Sequence, residues 1–206
     1  MSRNPEQVLI YHITDVANLP GILQDQALYS DAVMVKRNPE VIGYDHIKQR
    51  RLNEIVVPCC QRRKVGEFVP FYFCPRSPML FALNKGNTGR SAGCQRTVVH
   101  LVSTMAAGIA TGRAWAISSG NAGAFHTTFS NDIQALEDLD WEAIRATKWQ
   151  GKQHQKAAEF LLADSFSWSG IHLIGCQNSG VVAKVTTLLE QCAHKPAVEL
   201  KNNWYY

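Results

Sequence analysis

The run FVPFYFCPRSPMLF, residues 68–81, constrains the fold of this chain more than any other segment. It combines five aromatic side chains with three prolines and one arginine. Aromatic residues favour a strand, but proline has no N–H to donate to a ladder and its backbone is restricted. We therefore predict a strand over residues 68–73 that lies at a sheet edge or begins after Pro70. CPRSP should form a stiff turn that holds Arg76 with little freedom.

The composition is that of a globular protein with a buried core. The chain has 206 residues, of which 46% are apolar and 18% are charged, so we expect a single domain over residues 1–206. The start MSRNPEQVLI lacks a signal pattern and no long apolar run follows it. We expect a cytoplasmic protein with no membrane partner. Six cysteines without a CxxC pair predict reduced thiols and no metal site.

Basic residues are concentrated in one part of the chain. Residues 36–96 carry twelve Lys or Arg and four Asp or Glu, a local charge of +8, whereas the remaining residues have a charge of −4. This asymmetry indicates an anionic partner, with a solvated basic face as the alternative. There is no GxGxxG motif and no P-loop, so a nucleotide would have to be bound by another kind of site.

Short strands and helices alternate irregularly, which predicts the α+β class with six or seven strands. The predicted strands are residues 8–14, 68–73, 97–104, 113–118, 170–177 and 197–206. The predicted helices are residues 20–28, 44–56, 132–149 and 180–193. The predicted loops are residues 31–44 with Asn38 and Pro39, residues 58–66 and residues 118–125. Residues 79–86 and 156–166 fit a helix or a strand.

Several separated pieces of the chain resemble one known family, in the same order. They are YHITDVANLPGIL, HIKQRR, FVPFYFCPRSPML, VVHLVS, LDWEAI, AEFLL and the terminal WYY. Together they resemble the DarT toxins, bacterial enzymes that ADP-ribosylate bases of single-stranded DNA. The resemblance covers nearly the whole chain, and FVPFYFCPRSPML is its most specific piece.

The resemblance implies an ADP-ribosyltransferase-like fold of two packed central β-sheets flanked by helices, with a cleft for NAD+. It implies that NAD+ is the co-substrate, that nicotinamide leaves, and that ADP-ribose is joined to thymine N3 in single-stranded DNA, which blocks replication. It also implies a toxin whose partner is a DarG-like macrodomain antitoxin. Transfer to guanine, RNA or protein stays open, as does a non-catalytic nucleic-acid-binding module.

Two charged residues match the catalytic positions of the family. Arg51 ends HIKQRR, and the resemblance implies that it takes a proton from the base. A guanidinium keeps its charge with a pKa above about 12, so we expect it instead to hold the NAD+ phosphates and stabilise the deprotonating thymine. Both roles stay open here. Glu159 in AEFLL should stabilise the positive ribose, and its replacement by Ala should abolish transfer at little cost in stability.

The remaining site residues follow from the same resemblance. The expected NAD+ contacts are His12, Ile13, Thr14, Gly21, Leu28, Tyr44, Arg51 and Tyr72. The expected DNA contacts are Lys48, Tyr72, Arg76, Met79 and Asn121, with His126 as a weaker candidate. The T-D-x-[HN] piece of the family is here Ser118-Ser119-Gly120-Asn121, without the Asp, so base preference stays open. Thymine N3 lies on the pairing edge, which is consistent with a single strand held by stacking aromatics.

Overall fold

A computed structural model describes residues 4–37, 40 and 42–206. Its strands are β1 Leu9–Asp15, β2 Ala27–Tyr29, β3 Val56–Val57, β4 Arg63–Lys64, β5 Phe68–Tyr72, β6 Val98–Thr104, β7 Trp115–Asn121, β8 Phe129–Ser130, β9 Ala158–Ala163, β10 Ser165–Ser167, β11 Leu173–Cys176 and β12 Ala197–Leu200. Its α-helices are α1 Leu19–Asp25, α2 Asp31–Met34, α3 Asp45–Asn53, α4 Pro78–Lys85, α5 Met105–Ile109, α6 Trp141–Arg145, α7 Gln153–Lys156 and α8 Ser179–Leu189.

One large sheet organises the described part of the chain. Eight strands are arranged in the order β12-β11-β6-β1-β5-β9-β7-β8. Neighbouring strands are antiparallel except for β11 and β12, which are parallel. Two small sheets, β10 with β2 and β3 with β4, lie outside it. Strands from both ends of the chain meet in the large sheet, which supports the prediction of one domain.

The large sheet divides into two halves of four strands between β1 and β5. β1 pairs with β6 over seven residues, but its register with β5 is a single pair, Tyr11 with Tyr72. Beyond that pair the two strands part. The two half-sheets are the counterpart of the two packed sheets that the resemblance implies, and helices flank them, so the α+β prediction is confirmed.

The position of Pro70 corrects the sequence prediction. β5 runs through Pro70 and lies between β1 and β9, so it is neither an edge strand nor one that starts after the proline. The N–H and C=O of one strand residue point to the same side. The Pro70 carbonyl accepts a hydrogen bond from the His12 ring of β1 at 2.9 Å. In any other residue the N–H at this position would therefore point into the gap between β1 and β5. No ladder hydrogen bond is lost there by having proline.

The main core packs side chains of both half-sheets together. Phe71 of β5 is fully buried, with the rings of Phe160 and Phe166 at 6.4 and 5.4 Å between centroids. Burying one such side chain contributes roughly 1.5–3 kcal/mol. Successive strand residues point to opposite faces, so Tyr72 points away from this core.

Several predicted segments differ from the structure. The loop predicted for residues 31–44 contains α2; its Asn38 and Pro39 lie outside the described residues. The loop predicted from residue 118 begins after Asn121, because β7 continues that far against β9. Residues 132–149, predicted as one or two helices, form a 3-10 turn, Ile133–Leu136, followed by the short α6.

The two segments predicted to fit either a helix or a strand take the conformation that their neighbours in space favour. Residues 156–166 form mainly a strand, β9, because they lie between β5 and β7. Residues 79–86 belong to α4, which begins at Pro78 and ends at Gly86 in the left-handed conformation, with φ of 74°. The described part contains twelve strands, more than predicted, since five of them have only two or three residues.

Candidate active site

The main cleft opens where β1 and β5 part. Its volume is about 1210 Å³, which is ample for a dinucleotide. Of the thirteen predicted site residues, the cleft brings together all except Arg76. These are His12, Ile13, Thr14, Gly21, Leu28, Tyr44, Lys48, Arg51, Tyr72, Met79, Asn121 and Glu159. They come from both half-sheets and from helices α1, α3 and α4, so the tertiary fold assembles the site.

Arg51 and Glu159 form a buried ion pair in the cleft wall. Arg51 Nη1 and Nη2 donate to Glu159 Oε1 and Oε2, each at 3.0 Å, and the two side chains are only 10% and 2% exposed. Burial alone would lower the pKa of Arg51, but the charge and hydrogen bonds of Glu159 outweigh it and raise the pKa. The guanidinium paired with Glu159 therefore stays protonated.

The backbone around Glu159 is adapted to hold this carboxylate. The register between β7 and β9 shifts between Ile117 and Asn121. In this irregular stretch Ser118 Oγ accepts the Glu159 N–H at 2.9 Å and donates to the Gly120 carbonyl at 2.7 Å. The Ala122 N–H donates to Glu159 Oε1 at 3.2 Å. The carboxylate is thus fixed from three sides: by its strand, by Arg51 and by the start of the following loop.

The burial of Glu159 overturns one expectation. Replacement by Ala was expected to cost little stability, on the premise of a polar residue facing an open cleft. The carboxylate instead neutralises a buried guanidinium. Breaking such a pair leaves an uncompensated charge and costs about 3–5 kcal/mol.

His12 is held as a neutral ring. Its Nδ1 donates to the Pro70 carbonyl at 2.9 Å, since a carbonyl can only accept. Burial lowers the pKa of His12, against smaller opposing effects of this bond and of Asp31. Nε2 is therefore an acceptor at neutral pH, the form that a ribose hydroxyl can bind.

Tyr72 stands opposite Glu159 in the pairing of β5 with β9. Burial raises the pKa of the Tyr72 hydroxyl, and the charge of Glu159 adds to the effect. The hydroxyl stays protonated, so Tyr72 offers the cleft an aromatic face and a hydrogen-bond donor.

Three other predicted residues have distinct surroundings in the cleft. Gly21 lies in α1, and a Cβ added there would meet no protein atom within 4 Å. Lys48 of α3 pairs with Asp31 at 3.3 Å. The Asn121 side-chain oxygen accepts the Gly123 N–H at 2.8 Å, which leaves its NH₂ group as the donor to a ligand.

Arg76 lies outside the cleft. Ser77, the next residue, caps α4, because its Oγ accepts the Leu80 N–H at 3.2 Å. The turn directs the Arg76 guanidinium over the ring of Tyr206, 4.4 Å from its centroid, and into a second cavity. A role in DNA binding for Arg76 stays a prediction.

The sequence analysis missed side chains beside the cleft. Phe125 follows β7 and is 71% exposed, with the Arg50 guanidinium 5.1 Å from its ring centroid. Arg50 also donates to the Gly123 carbonyl at 3.2 Å. Trp149 lines the cleft itself. The available signal was an aromatic residue within a Gly- and Ala-rich loop. His126, the weaker candidate, stacks on His154 with ring centroids 4.2 Å apart.

The described residues contain no group of three or more His, Cys, Asp or Glu side chains that could hold a metal ion. No helix among them is long and apolar enough to span a bilayer. The cleft is lined by acidic, basic and aromatic side chains. A buried carboxylate and guanidinium and a neutral histidine line a cleft in a split sheet, which fits the class that the resemblance implies: an enzyme that binds a dinucleotide and breaks a glycosidic bond.

Comparisons with known proteins agree with this class. A family model described as ssDNA thymidine ADP-ribosyltransferase, DarT, matches residues 11–206. The DNA ADP-ribosyl transferases of Thermus aquaticus and Thermus sp. strain 2.9 are 39% and 36% identical to this chain. Each alignment covers 98% of this chain, and 90% and 98% of the two relatives.

Solved structures give the same result. Thermus sp. 2.9 DarT in complex with ADP-ribosylated ssDNA matches with a TM-score of 0.90 at 36% identity, over 100% of both chains. The same protein in complex with NAD+ matches with a TM-score of 0.85 at 33% identity, over 99% of this chain and 100% of that one. This chain belongs to the DarT family of ssDNA thymidine ADP-ribosyltransferases. The resemblance, the enzyme class and NAD+ as co-substrate are confirmed.

Proposed function

We propose that this protein transfers ADP-ribose from NAD+ to N3 of thymine in single-stranded DNA and releases nicotinamide. The observation that carries the proposal is the buried Arg51–Glu159 pair in the cleft where the two half-sheets part. This pair places a fixed negative and a fixed positive charge beside one large binding space. During the reaction positive charge develops on the ribose and negative charge develops on the base.

NAD+ occupies the β1 side of the cleft in this proposal. The expected contacts are His12, Ile13, Thr14, Gly21, Leu28, Tyr44 and Tyr72, which all line it. His12 accepts a hydrogen bond from a ribose hydroxyl through Nε2. The edge of β1 that parts from β5 offers backbone groups to the carboxamide. Gly21 leaves room for the dinucleotide against α1.

Glu159 and Arg51 have different catalytic roles in this proposal. The bond from ribose C1′ to nicotinamide breaks, its electron pair leaves with nicotinamide, and positive charge develops on the ribose. The Glu159 carboxylate stabilises that charge. Thymine N3 loses its proton to solvent water and supplies the electron pair for the new bond to C1′. Arg51 remains protonated and stabilises the thymine as that proton leaves, so of the two roles considered for it we favour the electrostatic one.

The DNA strand enters beside Tyr72, Met79, Lys48 and Asn121. The Asn121 NH₂ group is a donor that matches the acceptor oxygens of thymine. A base can reach the cleft only when it is unpaired and unstacked, which accounts for a single-stranded substrate.

A toxin that modifies DNA requires a partner that limits the damage. We infer a macrodomain antitoxin that removes the ADP-ribose from this protein's product. DNA and NAD+ are both cytoplasmic substrates in a bacterium, so the cytoplasm is the compartment in which we place the enzyme.

Labelled NAD+ and short oligonucleotides test the proposed reaction. We expect label to be transferred to thymine-containing single strands, and not to their duplexes or to strands without thymine. Transfer of label only to guanine-only strands, RNA or protein would contradict thymine as the substrate and identify another one. DNA binding with no transfer of label would leave a non-catalytic binding module.

Expression in a bacterial host tests the proposed toxicity. The wild-type protein should arrest growth and leave ADP-ribosylated chromosomal DNA, and Glu159→Gln should do neither. Equal growth with both, at equal protein levels, would contradict a toxin.

A further inference from the structure

A second cavity of about 460 Å³ lies beside the main cleft. It borders the same two strands at other residues, Tyr11 in β1 and Phe73 directly after β5. Its described lining includes three cationic side chains, Arg76, Arg145 and Lys156, and no carboxylate. The proposed reaction uses none of these three.

Two of these cations are arginines, each laid over an aromatic ring. Arg76 lies 4.4 Å from the ring centroid of Tyr206, and Arg145 lies 5.5 Å from that of Trp141. Neither forms an ion pair with a carboxylate of the described residues. The Nε of Arg76 is buried and has no hydrogen-bond partner there. Stacking restricts both guanidinium groups while their N–H edges stay available to an anion.

Lys156 holds the segment that carries Arg145. Its Nζ donates to the carbonyls of Ile144 and Ala146 at 2.9 and 2.8 Å, on either side of Arg145. The ammonium is buried in the cavity wall, so its charge adds to that of the two arginines. The position of Arg145 is therefore fixed from inside the fold, although its side chain is exposed.

Hydrogen bonds through two side chains connect the cleft with the cavity. Trp149, which lines the cleft, donates its ring N–H to the Tyr206 hydroxyl at 3.1 Å. That hydroxyl in turn donates to the Arg76 carbonyl at 2.9 Å. A strand that leaves the cleft over Trp149 arrives at the two arginines.

We propose that Arg76 and Arg145 bind a backbone phosphate of the DNA strand at a nucleotide that flanks the modified thymine. Guanidinium groups bind phosphate oxygens through paired N–H donors. The apolar walls of the cavity, Phe73 and Trp141, suit the adjoining base. The inference rests on the proposed function, since it needs DNA in the main cleft. It adds a second point of contact that sets the position of the strand.

Oligonucleotides with one neutral methylphosphonate at each successive position test this contact. Binding is measured by fluorescence anisotropy without NAD+, so that no product forms. For the wild-type protein we expect one position outside the target nucleotide at which neutralisation raises Kd about tenfold. For Arg145→Gln neutralisation at the same position should have a smaller effect, because only Arg76 is left to bind that phosphate.

Salt dependence gives an independent reading of the same contact. Each phosphate neutralised on a single strand contributes about 0.7 to the slope of log Kd against log salt concentration. Arg145→Gln should lower the slope by about that amount, and Arg145→Lys should restore part of it. Lys184→Gln, the same charge change on the exposed face of α8, is the control and should leave the slope unchanged. Because Arg76 also packs on Tyr206, Arg76→Gln is read only after its fold is checked by circular dichroism.

Two outcomes would overturn the inference. One is a methylphosphonate profile that is the same for wild type and Arg145→Gln. The other is binding of inorganic phosphate that depends on Arg145 while the DNA profile does not, which would make this a site for a free anion. Thymine ADP-ribosylation by the wild-type protein is measured on the same oligonucleotides. Its absence would contradict the proposed function, whereas its presence with an unchanged profile contradicts this inference alone.

Discussion

At the scale of single residues, the pair Arg51–Glu159 joins stability to catalysis. The carboxylate that should stabilise the ribose also neutralises a buried guanidinium. A reaction that uses Glu159 must therefore keep Arg51 compensated while NAD+ occupies the cleft. The phosphates of NAD+ and the anionic thymine are both able to do this.

The double role of Glu159 leads to a prediction for single and double variants. Glu159→Ala should abolish transfer and lower the free energy of unfolding by about 3–5 kcal/mol, because Arg51 is left buried and unpaired. Arg51→Leu combined with Glu159→Leu should recover most of that stability and none of the activity. Urea unfolding and the label-transfer assay measure the two effects. A double variant no more stable than Glu159→Ala would show that the pair is not buried as described.

Substitutions at Gly21 distinguish the packing of α1 within the protein from its packing against a bound ligand. A Cβ at this position meets no protein atom, and glycine within a helix costs about 1 kcal/mol relative to alanine. We therefore expect Gly21→Ala to raise the melting temperature. Gly21→Leu should raise KM for NAD+ about tenfold or more, since overpacking costs about 1–3 kcal/mol. A Gly21→Leu variant with unchanged KM would place NAD+ away from α1.

At the scale of elements, the connection from β7 to β8 presents an aromatic side chain to solvent beside the cleft. Its conformation is fixed by Asn121, whose carbonyl accepts from Thr127 Oγ1 and whose side chain accepts from Gly123. Phe125 is therefore held outward by an ordered turn. Exposed aromatics on such loops suit stacking with an unpaired base.

Phe125 should accordingly contribute to DNA binding and not to NAD+ binding. One base stacked on an aromatic ring is worth about 1–3 kcal/mol, so Phe125→Ala should raise Kd for single-stranded DNA about tenfold. Phe125→Tyr should retain binding. Leu200→Ala, which removes a 54% exposed side chain of β12 at the opposite edge of the sheet, is the control. Equal losses for both alanine variants would point to a general surface effect.

At the scale of the whole molecule, neutral histidines sit inside the fold. His100 Nε2 donates to the Pro75 carbonyl at 2.8 Å, and Nδ1 lies 3.1 Å from the Tyr205 hydroxyl. Burial lowers the pKa of His100 from 6.5 to about 4, against a smaller opposing effect of the Pro75 bond. Burial also lowers the pKa of His12.

Global stability should therefore fall in acid before the carboxylates are protonated. Between pH 6.5 and about 4 the unfolded chain binds protons that folded His100 does not, so the unfolding free energy decreases as the pH falls. The loss from His100 alone is about 3 kcal/mol. Urea unfolding at pH 7, 5.5 and 4.5 measures it. His100→Gln should show a flatter dependence, and an identical dependence in both proteins would contradict the assignment.

Local pattern and the resemblance predicted much of the fold and of the candidate site. β1, β6 and α3 follow from residue type and period, and the turn before Arg76 follows from its prolines. The order of the matching pieces pointed to Arg51 and Glu159. These features depend on neighbours along the chain, which is what a sequence displays.

The partners across space could be assigned only from the tertiary structure. Pro70 was predicted at an edge because an interior proline normally loses a ladder bond, and only the parting of β1 from β5 removes that cost. The same parting opens the cleft, orients the His12 ring through the Pro70 carbonyl and brings Glu159 to Arg51 across 108 residues. It also separates Arg76 from the other site residues. A sequence specifies which contacts a residue is able to make, but the burial and charge that set its chemistry come from residues far away along the chain.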